Sequence, residues 1–550
     1  MRNIFSVKDN PNDQVPREVY GYRPYLLAFS ASWACMYPNP TPAVSLPMLT
    51  DKAAMYGYDS AFIGGTLNLS SFQRTFGLDT ASDSAKADLS SNIVSTFQGG
   101  AFFGCASSFF LAERFGRRPT LIISAVIFSI GAALQMIGRL DCLYAGRALT
   151  GWGVGASAMI LPVYVSECSP ALIRGRLVGT FEIMLQVALV FGFWVNYGVN
   201  KNISPDGNKQ WHIPVAVQFV PAALLIIFMI PMIESPRWLV SRGRLQDARK
   251  TLSWVRNLPE DHAFIDHEMS MIETAIEHEL ASTRQTGNLR QLVSELFQPG
   301  VRGRVVLSCG LVTFQNFTGI NAINYYSPTI FKSIGFTGTS VGLLATGIFG
   351  IVKMAATMLY AMLLVDKLGR RPLLLIGGVG SGLAMFYLAG YSKVSGSFEH
   401  IPPMDAGAKT AVAMVYIYAI FYGMSWNGIP WLFTSEVIPN RVRTLGMAFC
   451  ICIQWVTQFI IVYSLPHMVL GITYGTFLFF GSCTVLAILF AWFFIPETKG
   501  VQLEDMDLLF GQDVSILAPT ARQNYLRGIE ARAMVFDAED KAQAAGIERV

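Results

Sequence analysis

An aspartate, Asp59, stands in the middle of the apolar run YGYDSAFIGG. An unpaired charge in such surroundings is costly, so the residue needs a partner or a proton. Burial favours the neutral acid and a nearby cation favours the carboxylate. A cation that moves would make Asp59 take up and release a proton, whereas a fixed one would only tie two helices together. Elsewhere in apolar spans stand Gln186, Gln315, Asn316, Asn321, Asn324, Tyr325, Trp431, Gln454 and Trp455. Amides donate to and accept from vicinal hydroxyls, and a flat indole covers the less polar face of a ring, so the set suits a polyol. Buried amides also join helices in membranes, and that is the competing role. Lys353, in GIFGIVKMAAT, is a cation in mid-span. It is the candidate partner for a substrate carboxylate, which a hydroxylated acid has and a neutral sugar lacks. The alternatives are that it snorkels or pairs with a helix end.

These residues need apolar elements to carry them. The chain is 52% hydrophobic and only 14% charged over 550 residues, too apolar for a soluble globular protein of this length. Runs long enough to cross a bilayer fall near 92–112, 119–138, 143–165, 177–199 and 213–232, after an irregular first span near 25–66. Six more fall near 305–331, 341–364, 372–391, 410–433, 444–466 and 472–495. The net charge of +4 sits in short loops, which gives nucleic-acid binding no support. The eight cysteines read as small core residues, with neither disulfide nor metal spacing. No nucleophile–base constellation appears, so an enzyme is disfavoured, and no cofactor is expected.

The halves repeat. RFGRRP is matched by DKLGRRP, YVSECSP by FTSEVIP, and IESPRWL by IPETKG, each pair about half a chain apart and in the same order. The expected fold is therefore an all-α polytopic membrane protein of two six-helix bundles, related by a pseudo-two-fold along the membrane normal. The expected segments are a cytoplasmic N-tail over 1–24, a first bundle over 25–232, a cytoplasmic helical linker over 233–303, a second bundle over 304–496 and a cytoplasmic C-tail over 497–550. The basic loops place both termini in the cytoplasm by the positive-inside rule. Glu113, Arg114, Arg117 and Arg118 are placed to bridge to Glu167, Arg174 and Arg176, and Asp366, Arg370 and Arg371 to Glu436 and Arg443, with Glu234 and Glu497 as further anions. Such alternating charges suggest a cytoplasmic latch between the bundles, and not topology alone.

At GRALTGWGVG, PVYVSECSP, RGR, IESPRWL, GINAINYYSP and PETKG the chain resembles the sugar porter family of the major facilitator superfamily. Through GYDSAFIGGTL, RLVGTFEIMLQ, FGFWVNYGVN and SWNGIPW it is most similar to the fungal quinate-transporting group, with Asn427-Gly428 replacing the usual GPxPW pattern. The resemblance implies the major facilitator fold, Arg147 as the partner of Asp59 in proton coupling, and sugar-contact positions at Gln186, Gln315, Asn321, Trp431 and Gln454. It implies a proton-coupled importer of quinate or a related polyhydroxy acid, working as a monomer in the plasma membrane. The alternatives are a hexose, pentose or galacturonate carrier and, more remotely, a non-transporting nutrient sensor. Residues 36–55 break the family's first span with prolines at 38, 40, 42 and 47. Without 37–55 the flanks join as ASWACMYGYDSAFIGG, so the segment reads as an untranslated stretch. Were it present in the protein, Asp59 would be displaced and coupling lost.

Overall fold

A computed structural model of the chain describes residues 53–169, 174–284, 289–298, 300–336, 338–397, 401–439, 442–499, 501, 506–510, 523, 525 and 527. The reading of residues 36–52 as a foreign insertion lies outside them. The described residues are helical, as a bilayer requires of a chain that must satisfy its own backbone hydrogen bonds. The first bundle comprises α1 (Ala53–Thr66), the short α2 (Ser70–Thr75), α3 (Asp83–Phe115), α4 (Arg117–Gln135), α5 (Leu140–Cys168), α6 (Arg174–Asn202), and α7 (Lys209–Val217) with α8 (Phe219–Met229). Four helices form the linker: α9 (Pro236–Ser241), α10 (Leu245–Arg256), α11 (Ala263–Arg284) and α12 (Leu289–Leu296).

The second bundle opens with α13 (Arg302–Phe317) and α14 (Ile320–Ile334), followed by α15 (Thr339–Leu359), which runs through a π-helical turn into α16 (Val365–Leu368). It closes with α17 (Arg370–Ser395), α18 (Ala406–Gly423), α19 (Ile429–Val437), α20 (Arg443–Ile472) and α21 (Gly475–Phe494), before a final α22 (Met506–Phe510).

Among the described residues, nine helices or helix pairs are long and apolar enough to cross a membrane. The remaining three expected spans are α1, whose preceding residues are not described, α3, whose opening turns carry Asp83, Lys86 and Asp88, and the seventh. The seventh span departs from a continuous run over 305–331. It breaks at Thr318–Gly319, where Gly319 has φ 94°, and bends again at Tyr326, two residues before Pro328. The tenth likewise parts between Gly423 and Ile429.

The halves meet along α3 with α20, α6 with α15, and α1 with α14. Small residues permit this closeness. A Cβ on Gly64 of α1 would lie 2.2 Å from the Tyr325 carbonyl oxygen of α14. The outer faces carry exposed Phe103, Ile130, Leu383 and Trp492, apolar groups suited to lipid.

Candidate functional site

Asp59 and Arg147 are both fully buried, and Arg147 Nη1 donates to Asp59 Oδ1 at 2.8 Å and Oδ2 at 2.9 Å. The pair lies within the first bundle, joining α1 to α5. Arg147 Nε donates to the Ile93 carbonyl of α3 at 3.2 Å, and its guanidinium carbon lies 4.7 Å from the Phe97 ring centroid. Its Nη2 has no hydrogen-bond partner. Asp59 is not displaced, contrary to what the upstream segment suggested, because α1 is already helical from Ala53.

One turn along α1, Tyr56 and Ser60 line a cavity between the bundles. Gln186, Gln315, Asn316, Asn321, Asn324, Tyr325, Lys353, Asn427, Trp431 and Gln454 share its wall, so ten of the residues selected from sequence come together. Trp455 does not. Its ring packs against Tyr56 at 5.3 Å and Phe97 at 6.1 Å, because neighbouring residues on a helix point about 100° apart and Gln454 takes the cavity side. The two helix breaks supply the geometry. Gly319 lets α14 start afresh, with Asn321 and Asn324 in its first turns. The break before α19 frees the Asn427 carbonyl, which accepts from Gln315 Nε2 at 2.9 Å.

The cavity amides are unequally committed. Asn316 Nδ2 donates to the Val312 carbonyl at 3.0 Å and its Oδ1 accepts from Asn321 Nδ2 at 2.6 Å, so Asn316 braces the broken span from within. The side-chain oxygens of Gln186, Gln315 and Gln454 are buried and have no donor. Three orphaned acceptors around one cavity invite hydroxyl donors. The cavity is contracted, at about 50 Å³, well below the few hundred Å³ of an open ligand pocket.

Sequence reading missed Glu182, Tyr422 and Gln458, which also line the cavity. Gln458 lies one helical turn beyond Gln454, and Glu182 one turn before Gln186, so the i,i+4 rule would have found both. Glu182 Oε1 accepts from Gln186 Nε2 at 2.9 Å and from Asn427 Nδ2 of the opposite half. Between this cavity and the Asp59 pair stands Tyr325, whose hydroxyl is flanked by the amides of Gln98 at 3.1 Å and Gln458 at 3.2 Å.

At the linker end, the repeated motifs build the same device twice. Gly116 (φ 100°, ψ 170°) and Gly369 (φ 95°, ψ 171°) adopt a backbone conformation open only to glycine. Glu234 receives the backbone N–H groups of Arg117 and Arg118, and Glu497 those of Arg370 and Arg371. Arg117 reaches Glu167 at 3.1 Å and Glu113 at 3.2 Å, and Arg370 reaches Glu436 at 2.8 Å. Arg118 donates to the Met229 carbonyl at the end of α8, and Arg371 to the Trp492 carbonyl near the end of α21. Arg114 stacks on Phe115, and Arg443 Nε donates to the Ile438 carbonyl. Arg117 with Glu113 and Glu167, and Arg370 with Glu436, are thus ion pairs that join helices within one bundle. Glu234 and Glu497 seat each GRR turn beside the last helix of its own half. The side chains of Arg174, Arg176 and Asp366, also expected in the network, lie outside the description.

The sequence pattern of the sugar (and other) transporter family matches residues 44–510. The chain belongs to that family. Among curated relatives, this transporter is 43% identical over 510 residues to a probable quinate permease of Neosartorya fischeri, covering 92% of this chain and 90% of the relative. It is 42% identical over 512 residues to the quinate permease of Emericella nidulans, covering 92% and 91%. Its fold matches the major facilitator proton:xylose symporter XylE, solved with 6-bromo-6-deoxy-D-glucose, at a TM-score of 0.70 and 28% identity, covering 89% of this chain and 99% of that one. The protein is thus a multi-pass membrane protein of the major facilitator fold and a secondary transporter of a small molecule.

Proposed function

We propose that the transporter imports quinate or a closely related polyhydroxy acid together with a proton. The observation that carries this reading is the set of three donor-less glutamine oxygens, Gln186, Gln315 and Gln454, lining the same cavity as the buried Lys353 ammonium. Hydroxyls supply the donors that the amides lack, Trp431 covers a ring face, and Lys353 meets the carboxylate. The names of the two fungal relatives support the same substrate class.

Asp59 and Arg147 are the proton-coupling pair in this reading. Protonation of Asp59 releases Arg147, and because Tyr325 stands between the pair and the cavity, closure around substrate and the state of the pair are linked. The cavity gains room as the halves part along α3/α20, α6/α15 and α1/α14, on one face of the membrane and then on the other. The linker end is cytoplasmic by its basic loops, as are both termini, and the protein works as a monomer in the plasma membrane. The paired GRR turns hold each half rigid during this exchange.

A neutral hexose or pentose is the second reading, favoured by the sugar derivative bound to the similar XylE structure, with the sugar acid galacturonate as a further alternative. Uptake of radiolabelled quinate, xylose, glucose and galacturonate at several pH values separates the two. Quinate uptake that rises as outside pH falls is expected. Sugar uptake with no quinate uptake rejects the acid reading, and pH-independent uptake rejects coupling.

A further inference from the structure

Glu182 and Lys353 are ionisable residues of opposite sign that both line the cavity, one from each half. Glu182 comes from α6 and Lys353 from α15, helices that pack along the bundle interface. The two interact electrostatically but form no salt bridge. Each is occupied by amides instead. Glu182 Oε1 accepts from Gln186 and Asn427, while Lys353 Nζ donates to Asn324 Oδ1 at 3.3 Å. An ammonium has three N–H donors, and Lys353, only 2% exposed, uses one of them on a described residue. A buried cation with donors to spare is prepared for an acceptor from outside the protein.

With Glu182 ionised, the couple is neutral. The groups facing Glu182 are Lys353, the phenols of Tyr56 on α1 and Tyr422 on α18, and the amides of Gln186 and Asn427. Lys353 is the sole cation among them, since Arg147 is taken up by Asp59. A carboxylate bound to Lys353 would leave two negative charges beside one positive charge in a closed cavity. Two carboxylates sharing such a site do not both stay ionised, and one accepts a proton.

We propose that Glu182 is that acceptor: it takes up a proton when an acid's carboxylate binds Lys353, so the acid crosses with one more proton than a neutral polyol does. The charges balance, since substrate carboxylate and Lys353 cancel and Glu182 becomes neutral, its proton drawn from the side on which the acid enters. Glu182 thereby lets a monoanion enter the cavity without leaving net charge there. This rests on the acid reading of the site and adds a proton carrier distinct from Asp59.

The test is charge per molecule. Full-length protein in liposomes, with the membrane potential clamped, is given radiolabelled quinate, and the potential at which net uptake vanishes is measured. Glu182→Gln is expected to move one elementary charge fewer per quinate than wild type, and Glu182→Asp the same number as wild type. An unchanged charge in Glu182→Gln overturns the inference. Should that variant not insert, purified wild type answers alone: in weakly buffered detergent, quinate should draw one proton more from solution than its neutral methyl ester, and equal uptake overturns the inference. Wild-type protein that binds neither compound defeats the acid reading itself, and the inference with it.

Discussion

Arg147 grips both oxygens of Asp59 with a single nitrogen, Nη1, and leaves Nη2 without a partner. A guanidinium that used both nitrogens in a parallel fork would hold more firmly. The buried pair is thus close and fully desolvated but short of its strongest geometry. Removing only one member leaves the other charge uncompensated, which costs about 3–5 kcal/mol in buried pairs generally.

Asp59→Asn keeps the shape of the acid and removes its ionisation. Accumulation of substrate against its gradient in response to a pH difference should vanish, while exchange of labelled for unlabelled substrate at equal concentrations continues. Full pH-driven accumulation in this variant would show that the proton travels elsewhere.

Replacing Gln186, Gln315 or Gln454 singly with Ala removes one orphaned acceptor. A neutral hydrogen bond contributes about 0.5–1.5 kcal/mol net, so KM should rise roughly 2- to 12-fold for each, with the smallest change in thermal stability for Gln454, since Gln186 and Gln315 also donate within the protein. Asn316→Ala should behave in the opposite way, because its amide is spent inside the seventh span. A fall in melting temperature with a smaller change in KM is the expected outcome.

Lys353→Gln separates acid from sugar. Loss of a hydrogen bond to a charged group costs about 1.5–3 kcal/mol, so affinity for quinate should drop by about 10- to 150-fold, while that for a neutral polyol of similar shape stays within a few fold. Competition of each compound against labelled substrate provides the measurement, and an equal loss for both would make Lys353 a structural cation.

Gly116→Ala and Gly369→Ala should damage the protein to a similar degree. Each forces a glycine-only backbone on alanine, at about 1–3 kcal/mol. Each new Cβ also meets a carboxylate oxygen, of Glu234 at 2.4 Å or of Glu497 at 2.6 Å. Melting in detergent should reveal both losses, and a silent Gly369→Ala would break the structural equivalence of the halves.

Much of this was legible beforehand. Asp59, Lys353 and the amides announced themselves as polar groups where the bilayer tolerates few, and all but Trp455 of the polar and aromatic set line one cavity, with Asp59 outside it. Glu182 carried the same signal inside the span expected near 177–199 and was not singled out. Trp455 was misjudged because composition identifies an indole without giving its helical phase. The breaks at Gly319 and before Ile429 were hidden inside unbroken hydropathy, for an apolar run records burial and not backbone continuity. Partner choice among the charged motifs was hidden too. Spacing places Arg117 near several acids, and only the seating of Glu234 over Gly116 decides that its partners lie in its own bundle.

That seating bears on where the machine can bend. Each GRR turn, with its glutamate clasp, is anchored beside the last helix of its own half, so the duplicated unit braces that half at its linker end. The described halves meet along three helix seams around a polar room, so any bending at those seams changes the size of that room.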